Sequence, residues 1–273
     1  MYEQHWGLQK TPFGNDRSEE SYYVSSAHQS ALLKLRFLVD YRRGAGLLVG
    51  PSGVGKTRLL QALLPDSQDQ HSAVVRIVYP LMNPTELLSL LVSELATEES
   101  TSVGQSLDVL IQQIVECFRS MASRGTPAVI VIDDAHAITD RQVFQALQLL
   151  LNFQQVPGCE FTLILAGQPE LVGMTRRLPQ LDDRISIPCI LTAMSAEETS
   201  AYVGHRLQAA GATEPIFSRN ALQTIHELSG GLPRRINRLC DFALLVGYAE
   251  GRGLIDEEHI EGVFTELNLA RAA

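Results

Sequence analysis

The segment that most constrains this chain is residues 50–57, which read Gly-Pro-Ser-Gly-Val-Gly-Lys-Thr. They fit the pattern G-x-x-x-x-G-K-[ST], and they lie between an apolar run at 46–49 and a helical pattern that begins at about Lys56. Glycines in such a loop let backbone N–H groups turn inward around phosphate groups, and the N-terminus of the following helix adds a favourable electric field. The sequence therefore predicts a phosphate-binding loop between a buried strand and a helix.

Two side chains of this loop have expected tasks in binding ATP and Mg²⁺. We expect Lys56 to reach the outer phosphates and the hydroxyl of Thr57 to hold Mg²⁺. The remaining predicted nucleotide contacts come from the rest of the loop and the residue after it, which are Gly50, Pro51, Ser52, Gly53, Val54, Gly55 and Arg58. The alternative is a Gly-rich turn that binds nothing. The spacing of the motif and its flanking strand and helix argue against that alternative.

Two adjacent carboxylates, Asp133 and Asp134, follow the apolar run at 128–132. Asp133 stands where a P-loop NTPase has its Mg²⁺-binding carboxylate, so we expect it to contact the metal directly or through water. We expect Asp134 to orient the attacking water. Glu is the more common residue for that task, and the shorter Asp side chain predicts slow hydrolysis. For His136, two positions further on, a capping or packing role is at least as well supported as a catalytic one.

Two polar side chains near the ends of later strands each carry one functional and one structural hypothesis. Gln168 follows the fourth predicted strand, where it either contacts the two carboxylates and the γ-phosphate or caps the helical segment beginning at Pro169. Arg184 precedes the last predicted strand. It is either an arginine finger that reaches the ATP of a neighbouring subunit or an ion-pair partner of Asp182 or Asp183.

A basic cluster lies in the C-terminal part of the chain. Residues 230–233 read Gly-Gly-Leu-Pro and open a helical pattern whose first turns contain Arg234, Arg235 and Arg238. Arg234 is placed to contact the γ-phosphate, which would make this part of the chain a lid. The alternative is a patch of three arginines that faces solvent or nucleic acid.

Apolar strands alternate with helical patterns up to about residue 190, and only helical patterns follow. Strands are predicted at 46–49, 73–78, 128–132, 161–165 and 185–190. Helices are predicted at 27–38, from about 56, from about 85, and at 105–121, 141–153, 195–210, 218–229, 232–249 and 256–267. Continuous apolar strands between helices are typical of a parallel sheet covered on both faces. We therefore predict an α/β domain at 1–190, which includes an ordered leader at 1–24, and an all-helical domain at 191–273.

Composition narrows the expected partners and compartment. The 22 Lys and Arg residues stand against 31 Asp and Glu, and the resulting net charge of -9 argues against a broad nucleic-acid surface while leaving room for a local basic rim. The four cysteines have no C-x-x-C pair, which fits a reducing compartment and no metal site of that type. The N-terminus lacks a signal-peptide pattern, and no run approaches the roughly 20 apolar residues of a membrane helix. The expectation is a soluble, cytosolic protein.

Several segments resemble a known family. MYEQHWGLQKTPF, SSAHQSALLKL, GPSGVGKT, VIDDAH, GQPEL and FSRNALQTIHELSGGLPRRINRLCDFALL follow one another in order. Together they resemble the AAA+ ATPases of the general secretion pathway protein A type, from Met1 to about Phe264. The resemblance implies an AAA+ P-loop fold with a five-stranded parallel core and a helical lid, and homo-oligomers, rings or filaments, with ATP bound between subunits. It also implies that Arg184 is the arginine finger and that Arg234 is the sensor-2 arginine.

The sequence departs from this family in two places. The carboxylate pair usually reads Asp-Glu, whereas here it is Asp133-Asp134. Secretion-pathway members typically continue into a membrane helix and a periplasmic peptidoglycan-binding module, whereas this sequence stops at Ala273.

We therefore expect a cytoplasmic ATPase, at most peripheral to a membrane complex, that switches or assembles an unidentified partner. A secretion, pilus or surface-export system is the leading context. The alternatives are an ATP-dependent DNA-binding regulator of transposition, a nucleotide-gated scaffold with little turnover, and a small-molecule phosphotransferase.

Overall fold

The computed structural model describes residues 1–14, 22–42, 44–64, 73–78, 81–96 and 105–272. They belong to two compact units. The sheet unit comprises Ala27–Ser52 and Lys56–Leu191, and the helical unit comprises Met1–Ser26, Gly53–Gly55 and Thr192–Ala273.

The sheet unit contains five parallel strands in its described residues. The strands are β1 (Ala45–Val49), β2 (Ala73–Ile77), β3 (Ala128–Ile132), β4 (Phe161–Gly167) and β5 (Ile185–Ile190). The helices are α1 (Ser26–Asp40), α2 (Lys56–Leu63), α3 (Pro84–Leu95), α4 (Leu107–Ser123), α5 (Arg141–Asn152), α6 (Glu170–Arg176) and α7 (Pro179–Asp182), with short 3₁₀ turns at Ala135–Ala137 and Phe153–Gln155. The strand order is β2-β3-β4-β1-β5, and every neighbouring pair is parallel. The predicted α/β fold with a parallel five-stranded sheet is confirmed.

Burial explains why the sequences of these strands are continuous apolar runs. Every residue of β1, β3 and β4 is buried, whereas β5, at one edge of the sheet, buries only Cys189 fully. Interior strands covered on both faces have no solvent-facing positions, so their sequences do not alternate between polar and apolar residues. Against one face, Phe118 of α4 stacks on Phe161 of β4 with ring centroids 4.4 Å apart.

The register of the sheet brings together the segments that follow three strands. Val49 at the end of β1 pairs with Gly167 at the end of β4, and Ile132 at the end of β3 pairs with Leu165. Carboxyl ends of parallel strands lie along one edge of a sheet, which is where ligands bind in open α/β folds. The phosphate-binding loop, the Asp133-Asp134 pair and Gln168 therefore start from neighbouring positions.

The helical unit is built from the C-terminal helices and the N-terminal leader. Its helices are α8 (Ala196–Ala209), α9 (Arg219–Ser229), α10 (Pro233–Ala249) and α11 (Glu257–Ala272). Its core combines residues of all four with Tyr2, Trp6, Leu8 and Phe13 of the leader. The indole N–H of Trp6 donates to the backbone oxygen of Leu244 at 3.0 Å, so this large ring is buried with its polar atom satisfied.

The position of the leader corrects one prediction. The sequence assigned residues 1–24 to the domain at 1–190, whereas Met1–Ser26 belongs to the unit with the C-terminal helices. The buried guanidinium of Arg206 on α8 explains why, because it donates to the backbone oxygens of Pro12 at 2.7 Å and Gly14 at 2.9 Å. These bonds give a buried cation the partners that it needs. Residues 15–21 of the predicted leader lie outside the described residues.

No helix within the described ranges combines the length and the apolar content that crossing a membrane requires.

Candidate active site

The loop after β1 closes around the ammonium group of Lys56. Lys56 is the first residue of α2 and is 7% exposed. Its Nζ donates to the backbone oxygen of Gly50 at 2.7 Å and to that of Pro51 at 3.1 Å. A buried ammonium group needs such acceptors, because removing its charge from water is costly. The cation is thus held within the loop where the sequence predicted phosphate contacts.

Two glycines give the loop its shape. Gly53 has a φ of +81° and Gly55 a φ of +106°, values that residues with a Cβ rarely adopt. Space is also limited at Gly53, where an added Cβ would lie 2.7 Å from the Cβ of Arg234. Within the same unit, the backbone N–H of Arg234 donates to the backbone oxygen of Gly53 at 3.2 Å. The position therefore requires glycine both for its conformation and for its close neighbour.

The two predicted Mg²⁺ ligands are in contact. Thr57 Oγ1 donates to Asp133 Oδ2 at 2.8 Å, and Asp133 is 3% exposed at the end of β3. Mg²⁺ is typically held by one or two protein carboxylates together with substrate phosphates and water. One hydroxyl and one carboxylate at the edge of a phosphate loop match that requirement. The described residues contain no cluster of three or more His, Cys, Asp or Glu side chains that could hold a metal ion.

The second carboxylate differs sharply from the first in its surroundings. Asp134 has a left-handed backbone, with φ 49° and ψ 34°, and its side chain is 60% exposed. Its backbone N–H donates to Asp133 Oδ1 at 3.0 Å. Asp tolerates the left-handed region better than most residues, yet the conformation is still uncommon. The turn therefore directs two adjacent carboxylates to different places, one against Thr57 and the other into solvent.

Gln168 contacts a histidine that the sequence left open between a packing and a catalytic role. Its Nε2 lies 2.8 Å from Nε2 of His136, which the 3₁₀ turn Ala135–Ala137 carries. Helix α6 has Pro169 as its N-cap residue and no side-chain cap hydrogen bond, so this helix end gives no support to the capping alternative for Gln168. A signal for His136 was available in the sequence, because it lies two residues after Asp134 at the edge where the strands end.

The two predicted arginines of the sheet unit lie in different surroundings. Arg58, in α2, is partly buried one residue after Thr57. Arg184, between α7 and β5, donates from Nη2 to Asn152 Oδ1 at 3.1 Å. Among the described residues it forms no ion pair with Asp182 or Asp183.

Three arginines of the helical unit form an exposed group at the start of α10. Arg234, Arg235 and Arg238 all lie within the first two turns of α10 and are all exposed. Pro233 occupies the first turn, where its missing N–H costs nothing. The preceding Gly231 has a φ of +67°, and an added Cβ would lie 2.2 Å from the backbone oxygen of Met194. This glycine therefore sets where α10 and its arginines begin.

Comparison with known proteins indicates the family and the fold of this chain. Residues 39–175 match the family model of an AAA domain. Over 253 aligned residues the chain is 34% identical to general secretion pathway protein A of Aeromonas hydrophila. The alignment covers 92% of this chain and 46% of that protein. The chain thus spans about half the length of this relative.

Two solved structures are similar in fold. Cdc6p from Pyrobaculum aerophilum has a TM-score of 0.71 at 19% identity, covering 89% of this chain and 67% of that one. The ORC2 protein of Aeropyrum pernix has a TM-score of 0.69 at 15% identity, covering 94% of this chain and 72% of that one. At these identities the likeness concerns the fold alone.

Proposed function

This chain belongs to the AAA domain family, and from that premise we propose that it is a Mg-ATP-dependent ATPase that switches or assembles a protein partner. The observation that carries the proposal is the contact between Thr57 Oγ1 and Asp133 Oδ2 at 2.8 Å, beside the loop that holds Lys56. It joins a hydroxyl and a carboxylate suited to Mg²⁺ with an ammonium group suited to phosphate. The proposal therefore rests on a pair of groups suited to Mg²⁺ beside an ammonium group suited to phosphate.

Binding of Mg-ATP would replace the hydrogen bonds that Lys56, Thr57 and Asp133 make in this structure. When bound, Mg²⁺ would neutralise charge on the outer phosphates of ATP. Lys56 Nζ would exchange the backbone oxygens of Gly50 and Pro51 for phosphate oxygens. Thr57 and Asp133 would exchange their mutual hydrogen bond for the metal. The backbone N–H groups of the loop and the partly buried Arg58 would complete the nucleotide contacts.

Asp134 would accept a hydrogen bond from the attacking water. Its carboxylate is 60% exposed, so a water molecule can reach it. Because Asp is one methylene shorter than Glu, the carboxylate must be held well to reach that water, and we expect slow turnover. At the lowest turnover rates the protein would be a scaffold that binds ATP and hardly hydrolyses it.

Arg184 and Arg234 would both act on a γ-phosphate, Arg184 on that of a neighbouring subunit and Arg234 on that of its own chain. Arg184, held by the neutral side chain of Asn152, would reach the ATP of a neighbouring subunit in a homo-oligomer, as an arginine finger. Arg234, whose backbone N–H donates to Gly53 O at 3.2 Å, would act within its own chain as the sensor-2 arginine. Gln168 would contact the γ-phosphate from the end of β4.

The proposed cellular context rests on the similarity to general secretion pathway protein A. Because the chain is 34% identical to general secretion pathway protein A over 92% of its length, we place it in a secretion, pilus or surface-export system. There it would work in the cytoplasm, peripheral to a membrane complex. The exposed arginines of α10 favour a second candidate, ATP-dependent binding of DNA, against which the net charge of -9 argues.

Calorimetric titration with ATP and Mg²⁺ tests the proposal. We expect saturable binding to the wild type, and a loss of at least about tenfold in affinity in Lys56→Ala because the charge opposite the phosphates is gone. Lys34→Ala removes an exposed lysine of α1 and is the matched control, which should bind as the wild type does. Equal affinity in Lys56→Ala would refute the phosphate site. DNA retention that needs ATP and decreases with salt would favour the second candidate.

A further inference from the structure

His136 lies between two residues to which the proposed function gives separate tasks. Strands β3 and β4 are parallel neighbours, so the turn after β3 and the segment after β4 lie side by side. The approach is close at Gly167, where an added Cβ would lie 3.1 Å from the backbone nitrogen of His136. The absence of a side chain at Gly167 lets the turn that carries His136 lie against the end of β4, next to Gln168.

The hydrogen bond to Gln168 favours one position for the ring hydrogen of His136. The amide Nε2 of Gln168 is a donor, so at 2.8 Å the ring Nε2 of His136 is the acceptor. In a neutral imidazole the other nitrogen, Nδ1, then carries the hydrogen. His136 thus receives a hydrogen bond at one end of its ring and presents a donor at the other.

That donor faces Asp134. His136 Nδ1 lies 3.8 Å from Asp134 Oδ1. Nδ1 is buried and makes no hydrogen bond to any of the described residues. The histidine side chain is 19% exposed, whereas that of Asp134 is 60% exposed and has room to rotate. A small rotation of the Asp134 carboxylate would give the buried Nδ1–H its acceptor.

We propose that His136 is a positioning residue that couples Gln168 to Asp134 in ATP hydrolysis. Gln168 has two amide N–H groups, and the one not donated to His136 is available for a γ-phosphate oxygen. With Gln168 fixed by the phosphate, the imidazole is fixed in turn, and Nδ1–H binds Asp134 Oδ1. The second oxygen of Asp134 is then directed at the attacking water.

The coupling explains how Asp134, although shorter than Glu, can orient the attacking water. Asp134 is not held by its own backbone turn alone, because its side chain is mostly in solvent. A hydrogen bond from His136 would restrict the carboxylate to one orientation, and would do so only when Gln168 contacts phosphate. This inference rests on the proposed ATPase function and adds to it a device that links nucleotide state to turnover.

The kinetic test separates positioning from packing. In His136→Ala we expect kcat to decrease by about 10²-fold, the size of effect that misplacing a catalytic group produces. ATP affinity, measured by titration, should stay within about twofold, because the phosphate loop is intact. Gln168→Ala should lower kcat similarly, and the double variant should be no slower than the single variants, because both act through one contact. Additive losses, an unchanged kcat, or parallel losses of affinity and kcat would overturn the proposal.

Two partial replacements and one control complete the kinetic series. Asn at position 136 keeps a donor near the Nδ1 position, and Gln keeps an acceptor near the Nε2 position, so each preserves one half of the link. Both His136→Asn and His136→Gln should be slow while folding normally. His226→Ala is the matched control, since His226 of α9 binds Thr199 Oγ1 at 3.0 Å and lies in the helical unit. It should hydrolyse ATP at the wild-type rate.

A measurement without ATP distinguishes failure of this inference from failure of the proposed function. In ¹⁵N-histidine-labelled protein, the His136 resonances, assigned by comparison with His136→Asn, should show the hydrogen on Nδ1. The Gln168→Ala variant should lose that preference. If the wild type did not hydrolyse ATP, the proposed function would fail while the ring spectrum still tested the link. A wild-type spectrum with the hydrogen on Nε2 would refute the coupling even in an active enzyme.

Discussion

Thr57 Oγ1 donates a hydrogen bond to Asp133 Oδ2 at 2.8 Å, although 76 residues separate them along the chain. Strand β4 pairs with both β1 and β3, so the segments after β1 and β3 begin on either side of its end. Two groups suited to Mg²⁺ are therefore adjacent before any metal arrives. Binding Mg²⁺ would replace one hydrogen bond and would require no movement of the sheet.

Replacing the adjacent carboxylates one at a time should have different effects. Asp133→Asn should raise the Mg²⁺ concentration needed for half-maximal ATP hydrolysis, because a charged ligand becomes neutral. Asp134→Asn should lower kcat by about 10²-fold or more while ATP still binds, because the water then meets a neutral amide instead of a basic carboxylate. Steady-state kinetics across a Mg²⁺ series, paired with ATP titrations, measure both. Wild-type turnover in Asp134→Asn would exclude it as the water-orienting carboxylate.

Arg184 should act on a neighbouring subunit. Arg184→Ala should bind ATP normally and hydrolyse it poorly, since fingers supplied by another chain are worth roughly 10³–10⁵ in rate. Mixing it with Lys56→Ala should restore part of the activity, because an intact loop then meets an intact finger. ATPase assays over a range of protein concentrations measure the recovery.

The matched control for this experiment is Arg36→Ala, which removes an exposed arginine of α1 and should leave hydrolysis unchanged. No recovery in mixtures shown by light scattering to co-assemble would contradict action across an interface. Arg184 would then serve the structure through Asn152.

Trp6 should stabilise the helical unit although it lies near the N-terminus. Its ring is 8% exposed and its N–H bonds Leu244 O at 3.0 Å. Trp6→Ala should cost about 3–5 kcal/mol of unfolding free energy. Trp6→Phe should cost less, because it keeps most of the ring and loses chiefly a hydrogen bond worth about 1 kcal/mol. Denaturant unfolding followed by circular dichroism measures both. An unchanged midpoint in Trp6→Ala would mean that the leader does not contribute to the unit.

Two adjacent glycines should respond unequally to alanine. Gly230 and Gly231 both have positive φ, of 62° and 67°. An added Cβ meets nothing within 4 Å at Gly230, whereas at Gly231 it would lie 2.2 Å from the backbone oxygen of Met194. Gly230→Ala should therefore cost about 1 kcal/mol, from backbone conformation alone, and Gly231→Ala clearly more. Thermal unfolding of the two variants compares them, and equal losses would show that the Met194 contact is not restrictive.

Contiguous residues were enough to predict the centre of the fold and part of the site. The spacing of glycines, lysine and threonine at 50–57 is a local property, and so are the apolar runs that became five parallel strands. The position of Asp133 at the end of such a run placed it near the loop. Helix α7 is not predicted, because its 4 residues are too few to show a helical period. Helix α6 is expected only as a helical segment that begins at Pro169.

Only the tertiary structure decided which distant groups meet. The leader packs with α8 and α10 because Trp6 and the buried Arg206 find their partners there, and no pattern within residues 1–24 shows this. Gln168 contacts His136, 32 residues away, and Arg184 contacts Asn152 instead of the aspartates beside it in sequence. Local sequence determines backbone conformation and burial, whereas the hydrogen-bond partner of a polar side chain depends on which strands are neighbours in the sheet and on how the helices pack.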